Sequence, residues 1–309
     1  MKQMDLICVG EILVDFLPGE LPWTYMAKPG GAPANVAVAA ARNGLKVGMC
    51  GRVGNDSFGR FLIKTLKNNG VDFLCPEPVE SAVTTMAFVS LDDDGDRSFT
   101  FVRKPGADCF LTAENVSACG LERARMVHAG SCSLSEEPAA GATVYAIRQA
   151  KSMGRLVSFD VNYRETMWHG DRERAAAAVK SLLPYIDLLK YSDEDAQLLG
   201  LNELDGPELV VETRGSRGAL MRWKGMSRSV PGRKVQCVDA TGAGDAFWGA
   251  FLSYLLGAGV STTSQLSMPL LTGAMDYANV AGSLCVQKKG AMESLPTRAE
   301  IEKLTCAVT

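Results

Sequence analysis

Only two histidines, His128 and His169, occur in the 309 residues. That leaves almost no material for a histidine-based metal centre or a Ser/His/Asp relay. A basic surplus is also missing. The 32 Lys and Arg against 35 Asp and Glu give a net charge of −3, so no stripe exists to neutralise a phosphate backbone and nucleic acid is not an expected partner. No GxxxxGK[ST] occurs and no GxGxxG follows the first apolar run, which excludes the common P-loop and sets aside a nicotinamide-dependent oxidoreductase. The nine cysteines, at 8, 50, 75, 109, 119, 132, 237, 285 and 306, include no CxxC pair and no neighbouring His at metal spacing. They read as reduced thiols, several of them core residues, in a cytoplasmic protein. The opening "MKQMDLICVGEILVD" is broken at Glu11 and does not read as a signal peptide. Residues 246–275 carry no charge, but Gly, Ser, Thr, Gln and Pro269 interrupt them too often for the roughly 20 apolar residues of a membrane span. A buried helix, a turn and a second buried helix are expected there.

What is present is an ordinary globular composition, with 47% hydrophobic and 22% charged residues, and the length fits one large domain spanning residues 1–309. Short apolar runs ("LICVG", "KVGMCGRVG", "ARMVHAG", "RLVSFDV", "IDLLKYS", "ELVVETRG") alternate with helical stretches over 33–43, 57–69, 140–153 and 172–183. This alternation predicts an α/β fold: a doubly wound, mostly parallel sheet with helices on both faces. One segment breaks the rhythm. "VTTMAFVSL" and "RSFTFVR" flank the acidic turn "DDDGD", a β-hairpin signal whose two-residue period puts Phe99, Phe101 and Arg103 on one face. The segment is a candidate lid; its alternative is a surface hairpin whose aromatics cover the core.

Two glycine-rich stretches carry the chemistry. "KPGGAPAN" sets Gly30 and Gly31 ahead of an Ala/Val-rich helix, where paired glycines let a ligand approach backbone amides and Asn35 presents its side chain to hydroxyls. Taken alone, a tight turn and cap explain this stretch as well. "DATGAGDAF" is more specific. Gly242, Ala243 and Gly244 leave N–H groups uncovered at the start of a long apolar helix, a place suited to the oxygens of a transferring phosphoryl group. Asp245, in the first turn, is placed to accept the proton of an attacking alcohol, and the helix end is expected to lower its pKa.

Gly30 to Asn35 ("GGAPAN") and Asp239 to Asp245 ("DATGAGD") together resemble the two signatures of the PfkB, or ribokinase-like, family of sugar kinases. The resemblance runs from "ICVGEILVDF" to "KKGAMESLPT" and within the family is strongest to fructokinases, through "GEILVDF", "AFVSLDDDGDRSFTFVRKPGAD", "DVNYRETMW" and "LLKYSDEDAQLLG". It implies a ribokinase-like fold with a small β-lid, formed by about residues 12–30 and 83–104, and ATP-dependent phosphorylation of D-fructose at its 6-hydroxyl. Asp245 would be the base, and the amides of Gly242, Ala243 and Gly244 the anion hole. On the sugar side the resemblance implies Asp15, Gly30, Gly31, Asn35, Phe101, Arg103 and Arg164; on the nucleotide side, Asn162, Lys190, Thr213, Gly215, Gly218 and Asn279. Mg2+ would arrive with ATP and reach Asp195 through water, and a K+-like ion would sit near Asp239, Thr241 and Ser294. Where the family's acidic motif ends in Glu, "SDED" has Asp195, and the lid reads "FVR", with Val102 in place of a tyrosine. The alternatives are a 2-keto-3-deoxygluconate kinase, a ribokinase or nucleoside kinase, and a catalytically silent sugar- or nucleotide-binding relative. An exposed lid edge makes a homodimer through the lid an expectation as well.

Overall fold

Apolar runs bounded by turn residues become the buried strands of one large sheet. The computed structural model describes residues 3–21, 23–91, 97–201 and 205–305. In chain order the elements are β1 (Met4–Val9), β2 (Leu13–Pro18), β3 (Tyr25–Gly30), α1 (Ala32–Arg42), β4 (Val47–Cys50), α2 (Ser57–Asn68), β5 (Val71–Phe73), β6 (Met86–Leu91), β7 (Arg97–Val102) and α3 (Ala113–Ala118). They continue with β8 (Ala124–Gly130), α4 (Ala139–Ser152), β9 (Leu156–Asp160), α5 (Arg172–Leu182), β10 (Leu188–Ser192), α6 (Asp193–Leu199), β11 (Leu209–Thr213), β12 (Ala219–Trp223), β13 (Met226–Val230), α7 (Ala243–Gly257), α8 (Met268–Cys285) and α9 (Arg298–Thr305).

The nine-stranded sheet has the order β13-β12-β11-β10-β9-β8-β1-β4-β5. All neighbours from β11 to β5 pair parallel, and among the described strands of this sheet only the β11–β12 and β12–β13 pairings are antiparallel. Successive side chains of β1 feed opposite layers, as the two-residue period of a strand requires. Leu6 and Cys8 pack with α1, α7 and α8, whereas Ile7 and Val9 pack with α4 and α5. Burial on both faces explains why the central strands read as continuous apolar runs rather than alternating ones.

The uncharged stretch forms α7, a short connection and the start of α8. No described helix is long and apolar enough to cross a membrane. Helix α7 lies close against α1: a Cβ on Gly249 would come within 2.5 Å of the Ala39 Cβ. Small residues along α1 and this glycine let the two backbones approach, which brings the amino ends of both helices to one place.

A second, four-stranded sheet has the order β3-β2-β6-β7. Strands β6 and β7 pair antiparallel as the hairpin pattern predicts, with Ala87 opposite Phe101; the acidic turn between them lies outside the described residues. Chain order along the large sheet runs outward from β1 to β4 and β5 on one side, and from β8 to β9 and β10 on the other. The reversal between β1 and β8 is a topological switch point, and beyond the carboxyl ends of strands flanking such a point open α/β sheets hold their ligands.

Candidate active site

Beyond the ends of β1, β8 and β9 lies a cavity of about 100 Å³, whose lining includes Glu11, Asp15, Gly31, Asn35, Asn162, Arg164, Gly242 and Asp245. The two glycine-rich stretches, some two hundred residues apart in sequence, meet here. Asn35, in the first turn of α1, donates from Nδ2 to Asp245 Oδ2 at 2.7 Å, a buried bond between the openings of α1 and α7. Oδ1 of Asp245 is left for another donor.

Gly242 caps α7 with φ 78° and ψ 0°, the left-handed conformation that glycine enters without penalty. Its neighbour Gly244 serves close approach: a Cβ there would lie 3.3 Å from Lys190 Nζ. The Lys190 ammonium, on β10, thus faces the amide loop, held by a 2.7 Å ion pair with Asp160 in which both side chains are buried. Asp160 Oδ1 is buried without a hydrogen-bond partner.

The electrostatics correct one expectation. The helix opening does not hold Asp245 below the usual carboxylate range; burial pushes it up to about 6, with Asp160 adding and Asn35, Lys190 and Arg164 opposing. Desolvation of a carboxylate that is only 8% exposed outweighs the helix end. Asp15, on β2, is likewise raised to about 7 by burial, with Arg164 opposing and Asp245 adding.

On the sugar side, Gly30 and Gly31 press against Asp15 and Glu11. A Cβ on Gly30 would collide with the Asp15 carboxylate, and one on Gly31, whose φ is 100°, would meet Glu11 O at 2.6 Å. Phe101 packs with Leu13, Ala87, Cys132 and Met167 on the cavity wall. Arg103 is placed differently. It lines an adjoining cavity of about 710 Å³ instead, and its guanidinium is engaged by Asp108 (Nε to Oδ2, 2.9 Å) and Ser135 (Nη1 to Oγ, 2.9 Å).

The residues expected on the nucleotide side divide into two groups. Asn162, with φ 36°, lines the small cavity beside Asp245. Thr213, Gly215, Gly218 and Asn279 line neither cavity. They gather past the end of β11, where Gly218 packs on the Val230 carbonyl and Asn279 Nδ2 donates to Pro231 O at 3.3 Å. Asp195 is buried in the capping box of α6: its Oδ1 accepts from Tyr163 N at 2.9 Å and its Oδ2 from Ser192 N at 2.8 Å. Asp239, Thr241 and Ser294 also come together. Asp239 Oδ1 accepts from Thr241 N at 2.9 Å and its Oδ2 from Gly290 N at 3.0 Å, while the Cys285 thiol contacts both Thr241 O and Ser294 Oγ. This cluster braces the amide loop from behind, with Ala291 Cα 3.0 Å from a Cβ placed on Gly242.

Sequence reasoning passed over Glu11 and Asp160. Glu11 is 3% exposed, its Oε1 accepting from Ala32 N at 3.2 Å and its Oε2 buried without a partner. Burial raises its carboxyl to about 7. Its signal was visible as a charge interrupting the first apolar run, just past the end of β1. His128, by contrast, is a core residue: Nδ1 meets Ser158 Oγ at 3.0 Å and burial pushes its pKa down to about 3.

Residues 4–298 match the pfkB family of carbohydrate kinases. The chain is 37% identical to fructokinase-1 of Zea mays over 317 residues, covering 97% of each. Among solved structures, a fructokinase with bound ATP from Xylella fastidiosa superposes with a TM-score of 0.89 at 30% identity, covering 98% of both chains. A fructokinase from Vibrio cholerae O395, in its fructose, ADP and calcium ion bound form, does so with a TM-score of 0.84 at 34% identity, covering 97% of this chain and 98% of that one.

Proposed function

Since the chain belongs to the pfkB family of carbohydrate kinases, we propose that it transfers the γ-phosphoryl group of ATP to the 6-hydroxyl of D-fructose. The observation that carries this reading is the meeting of Asp245, Asn35 and the Gly242–Gly244 loop in one cavity with Asp15. Asp15 is suited to accept two neighbouring sugar hydroxyls. The acceptor hydroxyl then faces Asp245, whose Oδ2 is fixed by Asn35 and whose Oδ1 takes the proton as the oxygen attacks phosphorus. The amides of Gly242 and Gly244, with Lys190 Nζ behind them, stabilise charge on the phosphoryl oxygens during transfer; the Ala243 amide, expected to be uncovered, instead donates to Ala240 O at 3.2 Å.

ATP is proposed to lie from the Thr213, Gly215, Gly218 and Asn279 cluster toward this loop, with Asn162 at the phosphate end. Mg2+ accompanying it fits the donor set because Asp160 Oδ1 is buried and unpartnered. Asp195, whose oxygens already accept from two backbone amides, suits contact through water. The ion would supply charge neutralisation on the phosphates. Asp239, Thr241 and Ser294 are proposed to hold K+, which would stiffen the amide loop.

The small sheet is proposed to act as a lid over the sugar, within a single kinase domain. Leu21, Trp23, Met26 and Val102 expose 69%, 91%, 46% and 39% of their surfaces there. That apolar edge supports a homodimer formed lid to lid, which sedimentation would reveal. The free, mostly buried thiols support a cytoplasmic location.

A coupled assay with ATP and a panel of fructose, 2-keto-3-deoxygluconate, ribose and adenosine tests the reading. Fructose should give the highest kcat/KM. A hundredfold preference for any rival would end the fructose assignment. The engagement of Arg103 by Asp108 leaves one arginine fewer for a sugar acid, which weighs against 2-keto-3-deoxygluconate.

A further inference from the structure

The cysteines scattered through the sequence do not all stay scattered in space. Cys50 ends β4, Cys75 follows β5 by two residues, and Cys119 closes the last turn of α3. Their sulfurs converge: Cys50 Sγ to Cys75 Sγ is 3.7 Å and Cys75 Sγ to Cys119 Sγ is 3.6 Å, and all three lie within 4.8 Å of one another. The three residues are 0%, 5% and 1% exposed. We propose that Cys50, Cys75 and Cys119 form a binding site for a single Zn2+ ion, distinct from the sugar and nucleotide sites.

Three features support it. A metal bound through thiolates at roughly 2.3 Å in tetrahedral geometry sets neighbouring sulfurs roughly 3.8 Å apart, and the two shorter sulfur separations already approach that spacing. Second, the ligands come from three separate elements whose backbones are fixed elsewhere. Cys50 O accepts from Gly10 N at 3.1 Å, Leu74 N donates to Met49 O at 2.9 Å, and Cys119 N donates to Asn115 O at 3.2 Å. Little further ordering is needed to bind. Third, positive charge and donors surround the sulfurs. The Gly51 amide and the Arg52 guanidinium face the Cys75 sulfur. Arg123 also hydrogen-bonds the Cys119 carbonyl. These cations offset the charge that three thiolates around a divalent ion would leave.

Each thiol that coordinates releases its proton, so affinity should fall steeply as pH drops.

The test uses the full-length protein, purified reduced and stripped of metal. Titrated with Co2+ as the spectroscopic probe, it should take up one equivalent and develop a thiolate-to-cobalt charge-transfer band that one equivalent of Zn2+ abolishes. Cys50→Ser, Cys75→Ser and Cys119→Ser should each lose the band, while Cys237→Ser, altering an exposed thiol, should keep it. Zn2+ at a hundredfold excess over its Kd should raise Tm by about 4 °C. Should the three variants fold poorly, the cadmium NMR shift of the unaltered protein reads the number of thiolate ligands directly. A missing band, a cadmium shift of oxygen and nitrogen ligands, or conversion of two of these thiols to a disulfide that leaves cobalt uptake unchanged would each overturn the site. None of these readouts depends on sugar phosphorylation.

Discussion

Replacing Asp245 by asparagine separates catalysis from stability, because the structure predicts opposite signs for the two. Asparagine keeps the shape and can still accept the Asn35 hydrogen bond of 2.7 Å through its carbonyl oxygen, so sugar and ATP should bind with affinities changed by less than about threefold. The proton acceptor is gone, and kcat should fall by about three orders of magnitude. Stability should rise. The folded protein holds this carboxyl at about 6 rather than 3.8, mainly through burial, which means that ionising it costs the native state about 1–3 kcal/mol. A raised carboxyl leaves the native state at its most stable well below pH 3.8, where the group is protonated folded and unfolded alike. That contribution is lost as pH climbs through about 6. The amide introduced by Asp245→Asn carries no charge at any pH. The substitution should therefore raise Tm by about 2–5 °C at pH 8 for a chain of this length, and by no more than about 1 °C at pH 4. Differential scanning calorimetry of both proteins at the two pH values, with steady-state kinetics at pH 8, provides the check. A variant with near-normal turnover refutes Asp245 as the base. A variant less stable than its parent at pH 8 refutes the burial argument.

Other perturbations follow from the same contacts. Gly30→Ala drives a methyl group into the Asp15 carboxylate, so KM for fructose should rise at least about tenfold while kcat changes little; an unchanged KM would remove Asp15 from the sugar site. Lys190→Met leaves Asp160 buried beside an apolar chain instead of its 2.7 Å partner, a loss of about 3–5 kcal/mol to be measured by urea unfolding. The pH profile of kcat/KM should fall on the acid side between about 7 and 6, since Asp15 (about 7) and Asp245 (about 6) must both be ionised to accept protons or hydroxyls; activity held flat down to pH 5 would contradict both assignments. Gly249→Val forces α7 away from Ala39, whose Cβ would lie 2.5 Å from the new Cβ, and should cost about 1–3 kcal/mol together with a fall in kcat, because the Asn35–Asp245 contact depends on that helix spacing.

The residues differ in how legibly they announced their places. Strands such as β8 and β9 are mostly apolar and bounded by turn residues, and helix α7 follows a glycine cluster, so local pattern was enough to find them. Strand β3 was harder: "YMAKPG" contains proline and glycine, and it forms because β2 supplies six register partners across the small sheet. The site shows the same division. Asp245 and the glycines before it carry a local signature, and Asn35 carries another, but that the two would share a hydrogen bond depends on the packing of Ala39 against Gly249. Arg103 looked free to reach a ligand because its partner Asp108 lies in a single 3-10 turn too short to carry a periodic signal, and Ser135 stands thirty-two positions away.

The pKa of Asp245 marks where sequence reasoning must fail for physical reasons. A helix amino end and a glycine-rich loop are visible in a string of letters, and both argue for a more acidic carboxyl. Desolvation is not visible there, since it depends on what the rest of the chain places over the site: Asn35 from α1, Asp160 from β9, the wall of the small sheet. Once those are in position the balance reverses, and the carboxyl moves up to about 6, closer to the pH at which a proton acceptor is most useful. The same packing that destabilises the ionised base in the resting protein makes it a better base for an alcohol, so the cost in folding and the gain in catalysis are two readings of one desolvated carboxylate.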